Sequence, residues 1–127
     1  MKEKKMVIEI DCSASRLFNF LLDPANTPLW VKSIVHEEKN ESPPRVGTEY
    51  TNTNELGIDS TYEIVRLEIN RMFELGQKDG LYHVRYTFEP VSDKRTRLVY
   101  FEWVDKGELE EPFHVGYLEK LKEILER

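Results

Sequence analysis

With 127 residues, the chain is long enough to bury one core and too short for a second domain. A formal net charge of −6, spread over mixed acidic and basic positions, argues against a nucleic-acid partner, which needs a basic face. The lone Cys12 allows no internal disulfide, which suits a reducing compartment, and the apolar run behind MKEKK is too short for a signal peptide or membrane span. A cytoplasmic protein with no integral membrane association is therefore the default expectation.

The apolar run 6–10 reads as a first strand. Cys12 follows at the corner, beside a helix N-terminus, a setting that lowers a thiol's pKa. No His or acid stands at the spacing of a nucleophile's partner, so the residue reads as a small filler of the corner. Ser13 is a helix cap, and Ala14, Leu17, Phe18, Leu21 and Leu22 form the stripe of an amphipathic helix. Asp23 caps a second, short helix with Pro24 in its first position and Pro28 limiting its length. Trp30, just beyond, is expected to fold back onto the first helix.

The period then changes to that of strands. Segments 32–38, 46–53, 61–69, 72–78, 81–89 and 95–105 alternate well enough for strands, separated by Pro43 and Pro44, Gly57, a tight turn at Asn70 and Arg71, and a hairpin turn at Asp79 and Gly80. In 81–89 the apolar face is Tyr82, Val84, Tyr86 and Phe88, and Pro90 is read as its end. Segment 112–127 is a closing helix, started by Pro112, with Phe113, Tyr117, Leu118, Leu121, Ile124 and Leu125 on its apolar side. Gly116 inside it weakens the helix by about 1 kcal/mol relative to Ala, and close packing or a bend over a cavity would each account for it.

The expected architecture is α+β: a curved antiparallel sheet of about seven strands, two short helices after the first strand, and a C-terminal helix across the concave face. A helix on a curved sheet leaves a gap for a ligand. At this point IEIDCSASRLFNFLLDPANTPLW, with Phe18, Asp23, Pro24, Asn26 and Trp30 in order, VGTEY around Gly47, EIVRLEINRMFEL from Glu63 and YTFEPVSDKRTRLVY from Tyr86 resemble the START-like or SRPBCC superfamily. The nearest relatives in that superfamily are its polyketide cyclase/dehydrase-like and lipid-transport-like proteins. The resemblance covers nearly all of 1–127 as a single domain and implies a helix-grip fold with a hydrophobic cavity. It is specific for fold and unspecific for function. The departure is a short connection and a short closing helix, which bear on the cavity mouth.

By alternation, the candidate cavity lining is Phe18, Trp30, Tyr50, Tyr62, Tyr86 and Phe88, with Phe113, Tyr117, Leu118 and Leu121 from the closing helix. The competing reading is that these side chains fill the core completely. In the last strand Leu98, Tyr100 and Val104 oppose Val99, Phe101 and Trp103, so either parity leaves apolar groups outside, and a homodimer through that strand is one way to cover them. If Tyr100 faces inward, so does Glu102, a buried carboxylate able to act as a general acid or base. His83 is assigned to the solvated face, and His114, near the presumed mouth, joins Glu102 as a catalytic candidate. No spacing of His, Cys or carboxylates marks a metal site, and no phosphate loop or serine elbow is present, so neither metal nor cofactor is expected. The resemblance implies binding of a small hydrophobic, lipid-like or polyketide-like molecule, or a cyclase/dehydratase-type enzyme, or an interaction module of the co-chaperone activator type.

Overall fold

The computed structural model describes residues 1–78 and 80–127. Strand β1 (Glu3–Ile10) turns Met6, Ile8 and Ile10 toward the core and Lys5, Val7 and Glu9 away from it, as the two-residue period of a strand dictates. It begins before the apolar run because its backbone ladder with the last strand continues to Glu3 opposite Trp103. Helix α1 (Ala14–Leu22) starts where Ser13 accepts from the Arg16 N–H, and buries Leu17, Phe18, Leu21 and Leu22. Asp23 ends α1 with its own N–H on Phe20 O, while its carboxylate accepts from Ala25 N at 3.0 Å to open a 3-10 turn (Pro24–Asn26). A single turn of helix, α2 (Thr27–Trp30), continues it. The indole of Trp30 meets Phe113 edge-on at 5.6 Å, which ties α2 to the segment before the closing helix, where the sequence suggested packing on α1.

Strands β2 (Ile34–Lys39), β3 (Glu49–Asn54), β4 (Asp59–Glu68), β5 (Met72–Gln77), β6 (Tyr82–Ser92) and β7 (Arg95–Val104) follow. They form one curled antiparallel sheet of seven strands in the order β1-β7-β6-β5-β4-β3-β2, so a meander is closed at one edge by the first strand. The turn after β4 places Asn70 at φ 62°, as expected. Of the expected Asp79 and Gly80 turn, Asp79 lies outside the described residues, and Gly80 has the positive φ, 112°, that such a turn requires. Pro90 does not end β6: the strand runs on to Ser92, with Pro90 opposite Thr96 and a register shift directly after it. A proline is tolerated next to a bulge, where the ladder is already interrupted.

Helix α3 (Val115–Leu125) starts at Val115 rather than Pro112. His114 caps it, Nδ1 accepting from Gly116 N at 2.9 Å. Gly116 is thus in the first turn, and a Cβ there would stand 2.8 Å from His114 Nδ1, so close packing explains the glycine. Leu118, Leu121 and Leu125 are fully buried in the core. The helix is fastened by Lys122 Nζ donating to Glu9 O and by an Arg16 guanidinium N–H donating to Leu125 O, at 2.8 and 2.7 Å. None of the described helices is long and apolar enough to cross a membrane.

Register decides the parity that the sequence left open. Tyr86 pairs with Tyr100, Phe88 with Leu98 and Val84 with Glu102, so Leu98, Tyr100 and Glu102 face inward and are buried. Phe101 and Trp103 face outward, half-buried in a stack with His83: the Trp103 ring lies 5.0 Å from His83 and 5.1 Å from Phe101, with the Arg85 guanidinium over it. His83 is therefore not simply solvated. Its Nε2 lies 2.6 Å from Asp105 Oδ2.

Candidate functional site

A cavity of about 620 Å³ opens between the sheet, the α1–α2 corner and the segment leading into α3. Its aromatic wall is Trp30, Tyr50, Tyr62, Phe73, Tyr82, Tyr86, Tyr100 and Phe113. Five of the predicted lining residues are therefore brought together: Trp30, Tyr50, Tyr62, Tyr86 and Phe113. The others are placed elsewhere. Phe18 and Phe88 belong to the packed core, edge-on to each other at 5.6 Å, with Phe18 also edge-on to the cavity residue Phe73 at 6.1 Å. Leu118 and Leu121 are sealed in the core, and Tyr117 packs half-buried against Phe113 at 4.9 Å. The short helix lies directly on the sheet through its leucines, so the gap opens beside it, under residues 108–113.

Among the polar groups on this wall, two carboxylates are held by hydrogen bonds from their neighbours. Glu102, 1% exposed, accepts from Tyr82 OH at 2.6 Å and Tyr100 OH at 3.2 Å through Oε1, and from Phe113 N at 2.7 Å through Oε2. Burial pushes both tyrosine hydroxyls well above their ordinary pKa, and the Glu102 charge adds to it, so they stay protonated and can donate. Toward the helix corner, Glu37 accepts from Thr27 Oγ1 at 2.6 Å. Burial raises its pKa, opposed by the hydrogen bonds from Thr27 and Asn52. Tyr50 OH is committed to Leu22 O at 2.7 Å, where it satisfies a carbonyl at the end of α1. Trp30 Nε1 is buried with no hydrogen-bond partner among the described residues.

Glu37, Asn52, Phe73, Tyr82 and Tyr100 were not singled out from sequence as lining. Tyr82 shares the alternation that identified Tyr86, and Tyr100 follows once the parity of β7 is known, whereas nothing local distinguishes Glu37 from the neighbouring glutamates. His114, the other catalytic candidate, is exposed and occupied as the α3 cap. Cys12 is buried beneath the corner, where Thr96 Oγ1 donates to its carbonyl at 2.9 Å. Burial pushes its thiol pKa up, against the lowering expected from the helix N-terminus. Among the described residues no three His, Cys, Asp or Glu side chains are grouped to hold a metal ion.

The sequence model of the family described as polyketide cyclase / dehydrase and lipid transport matches residues 1–127. The chain belongs to this family. No functionally curated protein matches it. Solved structures share the fold at low identity. Protein MLL2253 from Mesorhizobium loti has a TM-score of 0.73 at 18% identity, with 96% of each chain covered. A START superfamily protein from Mycobacterium smegmatis has a TM-score of 0.74 at 14% identity, over 99% of this chain and 98% of that one. The Aha1 dimer from Colwellia psychrerythraea has a TM-score of 0.71 at 14% identity, over 99% and 97%. The START-like resemblance of the sequence is thereby confirmed for the fold, and family membership makes this a hydrophobic-ligand-binding fold.

Proposed function

We propose that the protein binds a small hydrophobic or aromatic molecule in this cavity. The carrying observation is a void of about 620 Å³ walled by eight aromatic rings and by aliphatic side chains, with polar groups interspersed among them, within the size range of small-molecule sites. An interior filled with side chains would have left no such space. Leu75 lines the void, so Leu75→Trp should occlude it. Nile red, a neutral apolar dye, should brighten on the wild type and not on Leu75→Trp, and native mass spectrometry should find a co-purified small molecule on the wild type alone. Equal dye response from both proteins would overturn the reading.

Catalysis of the cyclase/dehydratase type is the second reading, favoured by one observation: a buried carboxylate, Glu102, on the wall with two tyrosine hydroxyls donating to it. Such an enzyme would fold a reactive chain against the wall and use these groups to move a proton. Turnover of a β-hydroxy or poly-β-keto thioester, lost in Glu102→Gln, would support it. Turnover that survives this substitution would count against it.

A further inference from the structure

We infer that the guest of this cavity is an organic cation: a hydrophobic or aromatic body carrying a protonated amine or a quaternary ammonium. The inference rests on the binding reading above and specifies its ligand class. Among the described residues that line the cavity, every charged side chain is a glutamate, and none is Lys, Arg or His. The glutamates are not equivalent. Glu108 at the mouth is paired with the Met1 ammonium, and Glu110 and Glu111 are exposed to water. Glu37 and Glu102 stand deeper, and they decide the selectivity.

Both are held by neutral donors. Glu102 has two tyrosine hydroxyls and one backbone N–H. Lys4 is its register neighbour on β1, but the Lys4 ammonium donates to Phe113 O at 2.8 Å and makes no ion pair with the carboxylate. Glu37 accepts from Thr27 and Asn52, while His36, exposed beside it on β2, lies 3.8 Å from Glu38 and acts on Glu37 only as the smallest of the influences on its carboxyl. The two carboxylates line the same cavity, Glu102 from β7 and Glu37 from β2 at the far edge of the sheet. Beyond burial itself, the charges of both push up the pKa of the buried Tyr86 hydroxyl on β6.

The chemistry then discriminates by charge. A carboxylate in a poorly solvated site attracts a cation more strongly than it would in water, and an anionic guest would bring a third negative charge into the same space. The faces of Tyr, Phe and Trp rings add a second preference of the same sign, since their quadrupoles attract cations. Aromatic walls and carboxylates thus agree on one class of guest and oppose its mirror image, the fatty-acid-like anion.

Three matched probes test this: 4-phenylbutylamine, 4-phenylbutanol and 4-phenylbutyrate, titrated calorimetrically into the wild type at neutral pH. The amine should bind at least about tenfold more tightly than the alcohol, and the butyrate more weakly than either. In Glu37→Gln and in Glu102→Gln the amine-to-alcohol affinity ratio should fall by about tenfold. Should Glu102→Gln not fold, the ratio in Glu37→Gln decides alone. Butyrate binding as tight as the amine, or a ratio unchanged in the folded variants, overturns the cation inference and leaves the cavity reading standing. Absence of binding by all three probes, together with a failed Nile red response, overturns both.

Discussion

Glu37 and Glu102 border one cavity but are held differently, and the difference has consequences for pH. The carboxyl of Glu37 is raised above its ordinary pKa of 4.5 by burial. The folded protein therefore keeps this proton over a pH range in which the unfolded chain has already released it, so this group's contribution to stability falls as pH rises through that range. Glu37→Gln retains an acceptor for Thr27 without the charge. The variant should be more stable than the wild type in urea at pH 8, and the advantage should vanish at pH 4. For Glu102 the relevant quantity is hydrogen bonding. Tyr82→Phe removes the shorter of its two hydroxyl donors and should cost about 1–3 kcal/mol in urea unfolding, the cost of an unsatisfied buried group. Cys12, buried with a raised thiol pKa, should resist iodoacetamide in the native protein and react on unfolding. Of these three residues the sequence offered Glu102 as a buried carboxylate if Tyr100 faced inward and Cys12 as a small filler of a corner, whereas nothing marked Glu37. The lowering that a helix N-terminus suggests for the Cys12 thiol is outweighed by burial, which the sequence did not show.

At the level of elements, the start of α3 shows how a cap sets a sequence choice. Gly116 lies where its N–H meets His114 Nδ1 and where a Cβ would strike the same nitrogen. In the wild type, Gly116→Ala should gain little, because the helix preference of alanine, worth about 1 kcal/mol, is offset by loss of the cap. His114→Ala should cost about 1 kcal/mol. Adding Gly116→Ala to His114→Ala should then stabilise by about 1 kcal/mol, so the two substitutions are non-additive in thermal or urea unfolding. The element boundaries that the sequence misplaced have physical causes of this kind. Pro112 can begin a helix, yet the cap belongs to His114. Pro90 can end a strand, yet the bulge beside it lets the ladder continue to Ser92.

Across the whole molecule, the interior divides into a filled part under α3 and an open part beside it. Leu118, with no exposed surface, belongs to the first, and Leu75 borders the second. Leu118→Ala should cost about 2–5 kcal/mol by opening a new cavity. Leu75→Ala, which enlarges an existing void, should cost less in the same urea titration. The sequence by itself determined the order of elements, the caps at Ser13 and Asp23, the inward face of β6 and membership of a cavity-forming superfamily, because each is written in local spacing or in a run of matching residues. Only the tertiary structure decided the parity of β7, the burial of Glu102, the entry of Glu37, and the division of aromatics between wall and core. Those depend on strand register and on how closely α3 approaches the sheet, which are set by side chains far apart in the chain that meet only when it is folded.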